Sequence, residues 1–285
     1  MWPYLDVGTP IRTWALVVTA GVLVCWALFM RRARRLGHDR LRTFLWLLTA
    51  FPVGGASAAL AAGAVRAASG APAALGVGSA ATGMTVLGAV ARGLLDSVAW
   101  ARWVLRTSPW ALLDAAAFTY PLALAFGRIG CLLNGCCFGH VTDTALGPLT
   151  VPLASYAPGT LARTYYTGAP TDALLVNLPL ALLAGALVTL VVTERLWRRR
   201  AALRLLPGTV LVVALGTDAA TRFVAEFLRE DPLARLGPSA PSGHALVPGL
   251  NPWQTWVGCV LVLCAALLVW LWKRRTPMPT EVAAP

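Results

Sequence analysis

Long apolar runs separated by short polar segments dominate this sequence. Seven of the runs are roughly 20 residues long, which is the length that a helix needs to cross the hydrocarbon core of a bilayer. They predict an all-α fold, a polytopic membrane protein with seven transmembrane helices. The predicted spans lie near residues 14–30, 44–65, 78–100, 110–132, 173–193, 207–228 and 254–272.

Composition supports a membrane protein and argues against a soluble one. Of the 285 residues, 58% are hydrophobic and 13% charged, and the mean hydropathy is +0.67. Soluble domains are apolar in only about 45–50% of their residues. The net charge of +12 could suggest nucleic acid binding. However, the basic residues form short clusters between apolar runs, without a basic stripe interleaved with aromatic residues. We therefore expect no nucleic acid partner.

The positions of the basic residues predict the orientation in the membrane. Four segments that follow the first, third, fifth and seventh apolar runs hold 16 of the 24 lysine and arginine residues. Basic loops stay on the cytoplasmic side of membrane proteins. The N-terminus is therefore expected outside and the C-terminus in the cytoplasm. The basic segments are residues 31–42, 102–106, 195–204 and 273–275.

A single membrane domain, residues 1–275, accounts for nearly the whole chain, and no segment is large enough to build a separate soluble core. The longer external loops are expected near residues 133–172 and 229–253. Residues 276–285 are expected to form a disordered cytoplasmic tail. A cleaved signal peptide does not fit the first apolar run, because its basic cluster follows that run instead of preceding it.

Ionisable residues inside apolar runs are candidates for function, because they are costly in a membrane. Asp114 and Arg128 lie in the fourth run, and Asp218, Arg222 and Glu226 recur in the sixth at a spacing that puts them on one helical face. An ion pair within the helix is one explanation for Asp218 and Arg222. Arg128, Arg222 and Glu226 also project near the same external depth. Two arginines converging in a low-dielectric cavity favour phosphate recognition through forked hydrogen bonds.

The segment CLLNGCCFGH, residues 131–140, offers four soft ligands in ten residues. Its spacing does not match the usual zinc-finger pattern, although a zinc site stays open as an interpretation. A disulfide between Cys131 and either Cys136 or Cys137 is a second interpretation, because the external face is oxidising. A glycine-rich turn whose backbone amides bind an anion is the third. The three remaining cysteines lie inside spans and are expected to behave as small apolar residues: Cys25, Cys259 and Cys264.

Two motifs, GRIGCLLNGCCFG at residues 127–139 and TRFVAEFLRED at residues 221–231, resemble those of the prolipoprotein diacylglyceryl transferases. The resemblance implies a seven-span enzyme of the bacterial inner membrane. Such an enzyme moves a diacylglyceryl group from phosphatidylglycerol to the lipobox cysteine of a preprolipoprotein and releases glycerol phosphate. The resemblance also implies two partners, phosphatidylglycerol and the preprolipoprotein signal peptide. No cofactor or metal is expected.

The resemblance also implies roles for individual residues. The expected substrate-binding residues are Arg128, Gly130, Asn134, Gly135 and Arg229, with Arg128 on the head group. The expected catalytic residues are Arg222 and Glu226, to which we add His140 as a stand-in for a histidine that the family has and this chain lacks. The arginines would stabilise the negative charge of the leaving glycerol phosphate. The attacking thiol belongs to the substrate, so the cysteines of this chain need not be nucleophiles.

Several positions depart from the family pattern. Residues 81–90 lack the histidine of the family's third span, Trp14 stands where the family has a tyrosine, and residues 169–175 keep little of a histidine-containing motif. His140 and His244 are expected in external loops, where either could serve as the base or simply be solvated. Two functions therefore remain open: a diacylglyceryl transferase, and a non-catalytic or repurposed homologue that binds anionic phospholipid.

Overall fold

The computed structural model describes most of the chain in several segments. These are residues 4–6, 10–49, 93–158, 160–166, 168–229 and 252–274. Most of the second and third predicted spans, His244 and the stretch at 81–90 lie outside the described residues, as does most of the predicted loop at 229–253.

Helices make up most of the described chain, and we number them α1 to α9. Four helical stretches are long and apolar enough to cross a membrane: Thr13–Arg35, Pro109–Asn134, Leu178–Arg199 and Gln254–Lys273. The helices are α1 Thr13–Arg35, α2 40–49, α3 93–103, α4 Pro109–Ala116, α5 Thr119–Asn134, α6 Leu161–Tyr165, α7 Leu178–Arg199, α8 Thr209–Ala225 and α9 Pro252–Lys273.

The helices differ from the predicted spans in three places. The fourth span consists of two helices, α4 and α5, which meet near Phe118. The fifth begins only at Leu178, because the residues before it form a strand. The sixth ends in a 3₁₀ turn, Glu226–Leu228, which follows α8. The total of seven spans and the orientation stay predictions.

Glycines let the helices approach closely. α5 packs against α1 and α7, and α8 packs against α7 and α9. A Cβ atom added at Gly21 of α1 would lie 2.5 Å from the side chain of Phe126 on α5, and one at Gly185 of α7 would collide with Thr221 on α8. Small residues at such contacts are typical of helix packing in membranes, where close backbone approach maximises van der Waals contact.

The described chain is mostly helical, in agreement with the prediction, and short strands accompany the helices. β1 (Tyr4–Asp6) pairs with β2 (Pro10–Arg12), and a second antiparallel sheet has the strand order β3-β5-β4. β3 is Val141–Thr142, β4 is Thr150–Pro152 and β5 is Leu174–Val176. We call the folded part that contains the second sheet, residues 136–177, the head. The predicted external loop is therefore largely ordered, around a core of Phe138, Leu153, Tyr156, Ala162, Tyr166 and Leu175.

The head lies where α5 and α8 end and α7 begins. Gly139 donates a backbone hydrogen bond to Val176 at 2.9 Å, and His140 donates one to Leu228 at 3.2 Å. Asn177 caps the start of α7, where its side chain accepts a hydrogen bond from the backbone of Leu180. Consequently α5 and α8 both run toward the head, and α7 runs away from it.

A buried and a half-buried charge hold the opposite ends of the helices. Asp114 accepts hydrogen bonds from the backbone N–H groups of Gly208 at 2.8 Å and Leu211 at 2.9 Å, so it caps α8 from another helix. Arg32 pairs with Glu194 at 2.5 Å and lies over the ring of Phe118. Both charges have structural partners, which explains their presence in apolar surroundings.

Candidate functional site

Backbone contacts join the two motifs singled out in the sequence. Gly139, at the end of the cysteine-rich motif, forms an isolated antiparallel bridge with Arg229, at the end of the charged motif. A Cβ atom at Gly139 would lie 2.5 Å from the carbonyl oxygen of Leu228 and 2.7 Å from the Val176 side chain. Only glycine fits this close approach, so its position is explained by the junction of the two motifs.

A left-handed glycine ends α5 and starts the turn that follows. Gly135 has φ +64 and donates its backbone N–H to the carbonyl of Cys131. A side chain at this position would also crowd Thr160 and Tyr156, at 3.0 and 3.1 Å. Gly135 therefore shapes the turn, and its expected role in substrate binding stays a prediction. The expected role of the neighbouring Asn134 in shaping this turn stays a prediction.

The thiols of Cys131, Cys136 and Cys137 form a cluster in this turn. Their sulfur atoms lie within 4.8 Å of one another, and all three are free. In the described part of the chain, neither of the two disulfides considered from the sequence is therefore formed. Cys137 adopts φ +59, a left-handed conformation that costs a residue with a side chain on the order of 1–3 kcal/mol.

The charges of arginines from both motifs act on the thiol of Cys137. Hydrogen bonds from the thiols of Cys131 and Cys136, and then the charges of Arg128 and Arg229, hold its pKa well below the ordinary value, against the opposing effect of burial. Arg128 comes from α5 and Arg229 follows α8. The fold thus brings together two of the arginines that the sequence analysis assigned to substrate binding.

The two arginines differ in their partners. Arg229 donates to both carboxylate oxygens of Glu226, at 3.2 and 3.4 Å. Arg128 is half-buried and, within the described ranges, has no carboxylate partner. Arg128 is therefore the cation best placed to accept an anion from outside the chain.

Hydrogen bonds among polar side chains hold the third arginine, Arg222. Arg222 donates through Nε to Asp218 at 2.7 Å, which confirms the ion pair considered from the sequence. The same carboxylate oxygen accepts the hydroxyl of Tyr120 at 2.5 Å. Tyr120 is not among the residues predicted from the sequence, although a hydroxyl in the run that carries Arg128 is a visible signal. Glu226 links Arg222 to Arg229, because its charge acts on Arg222 and its carboxylate pairs with Arg229.

The imidazole of His140 is tied to the charged motif. Its Nδ1 lies 3.2 Å from the carbonyl oxygen of Leu228. A carbonyl oxygen only accepts hydrogen bonds, so Nδ1 carries a proton in this contact. In the neutral ring Nε2 then has a free lone pair and can act as a base.

Gly130 has a packing partner. It is buried in α5, and a Cβ atom there would lie 2.8 Å from the indole of Trp14 on α1. The indole is 42% exposed, so it covers Gly130 without being enclosed itself. This contact explains the glycine through helix packing, and its expected role in substrate binding stays a prediction.

An apolar groove lies between α8 and α9. It has a volume of about 610 Å³, and its lining includes Phe223, Gly258 and Val262. Phe223 directly follows Arg222 in the charged motif. Gln254, which is buried, contributes a polar group to the lining.

Comparison with known proteins places the chain in a family. The model of the prolipoprotein diacylglyceryl transferase family matches residues 4–272. The chain belongs to this family. The match confirms the resemblance inferred from the two motifs, and the curated members of the family that the chain matches are named as transferases.

The relatives are distant and match only in part. The phosphatidylglycerol–prolipoprotein diacylglyceryl transferase of Campylobacter jejuni is 30% identical over 148 residues, which cover 52% of this chain and 46% of the relative. That of Paracidovorax citrulli is 31% identical over 190 residues, 65% of this chain and 60% of the relative. Transferase 2 of Clostridium perfringens is 46% identical over 52 residues, 17% of this chain and 20% of the relative. The chain thus spans about half the length of the first of these relatives.

Proposed function

We propose that this chain transfers a diacylglyceryl group from phosphatidylglycerol to the lipobox cysteine thiol of preprolipoproteins. Its family and the names of its relatives support this reaction. The thiolate sulfur of the acceptor forms a bond to the glyceryl carbon that carries the phosphate ester. The carbon–oxygen bond breaks, and glycerol phosphate leaves with the bonding electrons. The reaction needs a cationic site for the phosphate and a base for the thiol proton.

The observation that carries the proposal is the position of Arg128. It lies half-buried beside the turn that joins the two motifs, and no carboxylate of the described residues neutralises it. The planar fork of a guanidinium group matches two phosphate oxygens. We assign Arg128 to the phosphate of the phosphatidylglycerol head group, and Asn134 and Gly135 to the shape of the turn beside it.

Arg222, Glu226 and Arg229 form the second wall of the proposed site. The phosphate gains negative charge as the carbon–oxygen bond breaks, and oriented cations stabilise that charge most when they need no rearrangement. The ion pair with Asp218 fixes Arg222 at 2.7 Å, and Glu226 fixes Arg229 at 3.2 Å. We assign Arg222 to the developing charge and Arg229 to substrate binding.

His140 is the proposed base. Its Nδ1 is held by the carbonyl of Leu228, which leaves Nε2 to take the proton of the acceptor thiol. Deprotonation is needed because the thiolate is the reactive form of cysteine. The groove that Phe223 lines offers an apolar surface for an acyl chain of the lipid.

The expected setting is the bacterial inner membrane, with the chain crossing it several times. The four long apolar helices support a membrane protein, and the arginine clusters support an external N-terminus. With that orientation the head, where α5 ends, would face outward. This is the side on which a preprolipoprotein presents its lipobox after export.

A non-catalytic phospholipid-binding homologue is the second candidate. It is favoured by two sequence features: Trp14 stands where the family has a tyrosine, and residues 81–90 contain no histidine. Such a protein would keep Arg128 and its turn, which bind the anion, and would lack the groups that move protons.

Complementation tests the first candidate against the second. A bacterial strain depleted of its own transferase receives epitope-tagged wild-type chain, Arg128→Ala, or the matched control Arg198→Ala. Arg198 is an arginine near the end of α7 whose side chain is 75% exposed. We expect the wild type and the control to restore growth and lipoprotein lipidation, and Arg128→Ala to fail at equal protein level.

Each result separates the alternatives. Rescue that survives Arg128→Ala refutes the assignment of the head group to that residue. A well-expressed wild-type chain that does not rescue, yet binds phosphatidylglycerol vesicles in an Arg128-dependent way, favours the non-catalytic homologue. His140→Gln should lower transfer without weakening vesicle binding, since the base is needed only for the thiol proton.

A further inference from the structure

We propose that the thiols of Cys131, Cys136 and Cys137 form a binding site for one thiophilic d¹⁰ cation of the class of Zn²⁺ or Cu⁺. The proposal does not rest on the proposed transferase activity, because the reacting thiol of that reaction belongs to the acceptor, although the two sites share Arg128 and Arg229 as neighbours. Each thiol that becomes a ligand releases its proton to solvent, and no electron transfer is needed.

The sulfur positions fit a shared cation. All three sulfur atoms lie within 4.8 Å of one another. Metal–sulfur bonds of about 2.3 Å put thiolate ligands roughly 3.8–4.0 Å apart, so the cluster needs to contract by less than about 1 Å. Cys136 and Cys137 lie in the turn beyond α5, where rotation of their side chains can supply this movement.

The backbone is arranged to bring the three thiols together. The left-handed Gly135 ends α5, and Cys136 then donates its backbone N–H to the carbonyl of Cys131 at 3.3 Å. Cys137 is also left-handed, a conformation that residues with a side chain seldom adopt. Together these features fold the chain back over the last turn of α5. By contrast, Cys25, which is expected to act as a small apolar residue, lies within a regular helix.

Charge and ligand type select the class of cation. Three thiolates around Zn²⁺ carry a net charge of −1, and around Cu⁺ a net charge of −2. The guanidinium groups of Arg128 and Arg229, which act on Cys137, offset this negative charge. Soft thiolate ligands select Zn²⁺ and Cu⁺ over the oxygen-seeking Mg²⁺ and Ca²⁺. Three ligands complete a trigonal Cu⁺ site or leave one tetrahedral position of Zn²⁺ open.

Metal titration of the full chain tests the site. The purified protein in detergent, fully reduced and without oxygen, is titrated with Cd²⁺ as an optical probe for thiolate coordination, and separately with Zn²⁺ and Cu⁺ followed by metal analysis. Cys136→Ser removes one ligand. Cys137→Gly removes another and suits the left-handed backbone, so it keeps the fold. The matched control is Cys259→Ser, which changes an exposed cysteine of α9.

We expect about one cation per wild-type chain, with a thiolate-to-metal absorption band and release of protons. Loss of one ligand should weaken binding by about 100-fold or more, and Cys259→Ser should bind like the wild type. Uptake of either Zn²⁺ or Cu⁺ with this dependence on the thiols supports the site. Wild-type chain that takes up no metal, or equal uptake by Cys136→Ser and Cys137→Gly, overturns the proposal. A disulfide within the cluster, with no uptake after its reduction, overturns it as well.

Discussion

Tyr120→Phe is expected to slow diacylglyceryl transfer without weakening lipid binding. The hydroxyl of Tyr120 and the Nε of Arg222 share one oxygen of Asp218, at 2.5 and 2.7 Å. Arg222 is 25% exposed and Asp218 only 10%, so this carboxylate is largely removed from solvent. The hydroxyl therefore helps fix the carboxylate that orients Arg222. Tyr120 acts as a positioning residue, because it reaches the substrate only through these neighbours.

The size of the effect follows from the hydrogen bond that is lost. A hydrogen bond to a charged group contributes about 1.5–3 kcal/mol. If the whole of this contribution appears in the transition state, the rate falls about 10- to 150-fold, since each 1.4 kcal/mol is tenfold. We expect kcat to fall within this range and KM for phosphatidylglycerol to change less than about threefold. The reason is that Arg222 is assigned to charge that develops during the reaction.

The assay uses purified chain in detergent, phosphatidylglycerol in mixed micelles and a lipobox peptide whose lipidation is followed by mass. Tyr156→Phe is the matched control, because it removes the hydroxyl of a tyrosine in the head and keeps the ring that packs beside Gly135. It should keep the wild-type kcat. A rise in KM at constant kcat for Tyr120→Phe would refute the reasoning. So would an equal loss of activity in the control, or a loss that disappears once rates are corrected for unfolded protein.

Two further predictions concern stability in detergent, measured by thermal unfolding. Asp114→Ala should lower the free energy of unfolding by about 3 kcal/mol or more, because it removes two buried hydrogen bonds to a charged carboxylate. Asp39→Ala, which removes an exposed helix cap, should lower it by only about 1 kcal/mol. Gly185→Ala should lower the free energy of unfolding by about 1–3 kcal/mol, because the added methyl group collides with Thr221. Gly127→Ala is the control: no described atom lies within 4 Å of its Cβ, so it should be neutral or stabilising. Equal losses within either pair would contradict the structural explanation.

The sequence predicts which charged residues are candidates for function, because charges are costly inside apolar runs. Arg128, Arg222 and Glu226 are candidates on this ground without any structure. It does not predict their partners. Tyr120 meets Asp218 across 98 positions of the chain, a distance at which periodicity carries no information.

Local geometry explains another difference between prediction and structure. A continuous α-helix would put Glu226 on the face of Arg222, which is what the spacing predicts. The chain instead tightens into a 3₁₀ turn at Glu226, and the carboxylate pairs with Arg229 three residues later. The hydrogen bond that His140 donates to Leu228 and the bridge between Gly139 and Arg229 accompany this turn, and they depend on contacts that are distant in sequence.

The head was the least predictable part of the fold. Its strands contain two or three residues each, too few for an alternating pattern to be visible in the sequence. Its core depends on aromatic residues from separate turns, including Phe138, Tyr156 and Tyr166. Without these contacts the segment at 133–172 resembles an ordinary loop. The family resemblance was recognisable because its motifs are local and specific.

The unpaired state of Arg128 links the fold to the proposed function. Arg222 and Arg229 each offset part of their desolvation cost with a carboxylate, but Arg128 has none among the described residues. Cys137 offers a counter-charge only when it is a thiolate, and through a single sulfur atom. A phosphate group offers oxygen atoms that match both arms of the guanidinium fork. An anionic lipid should therefore bind the native state far better than the unfolded chain, and so stabilise the fold as its concentration rises. Loss of this stabilisation in Arg128→Ala, with no loss in Arg198→Ala, would locate the phosphate at this arginine without relying on turnover.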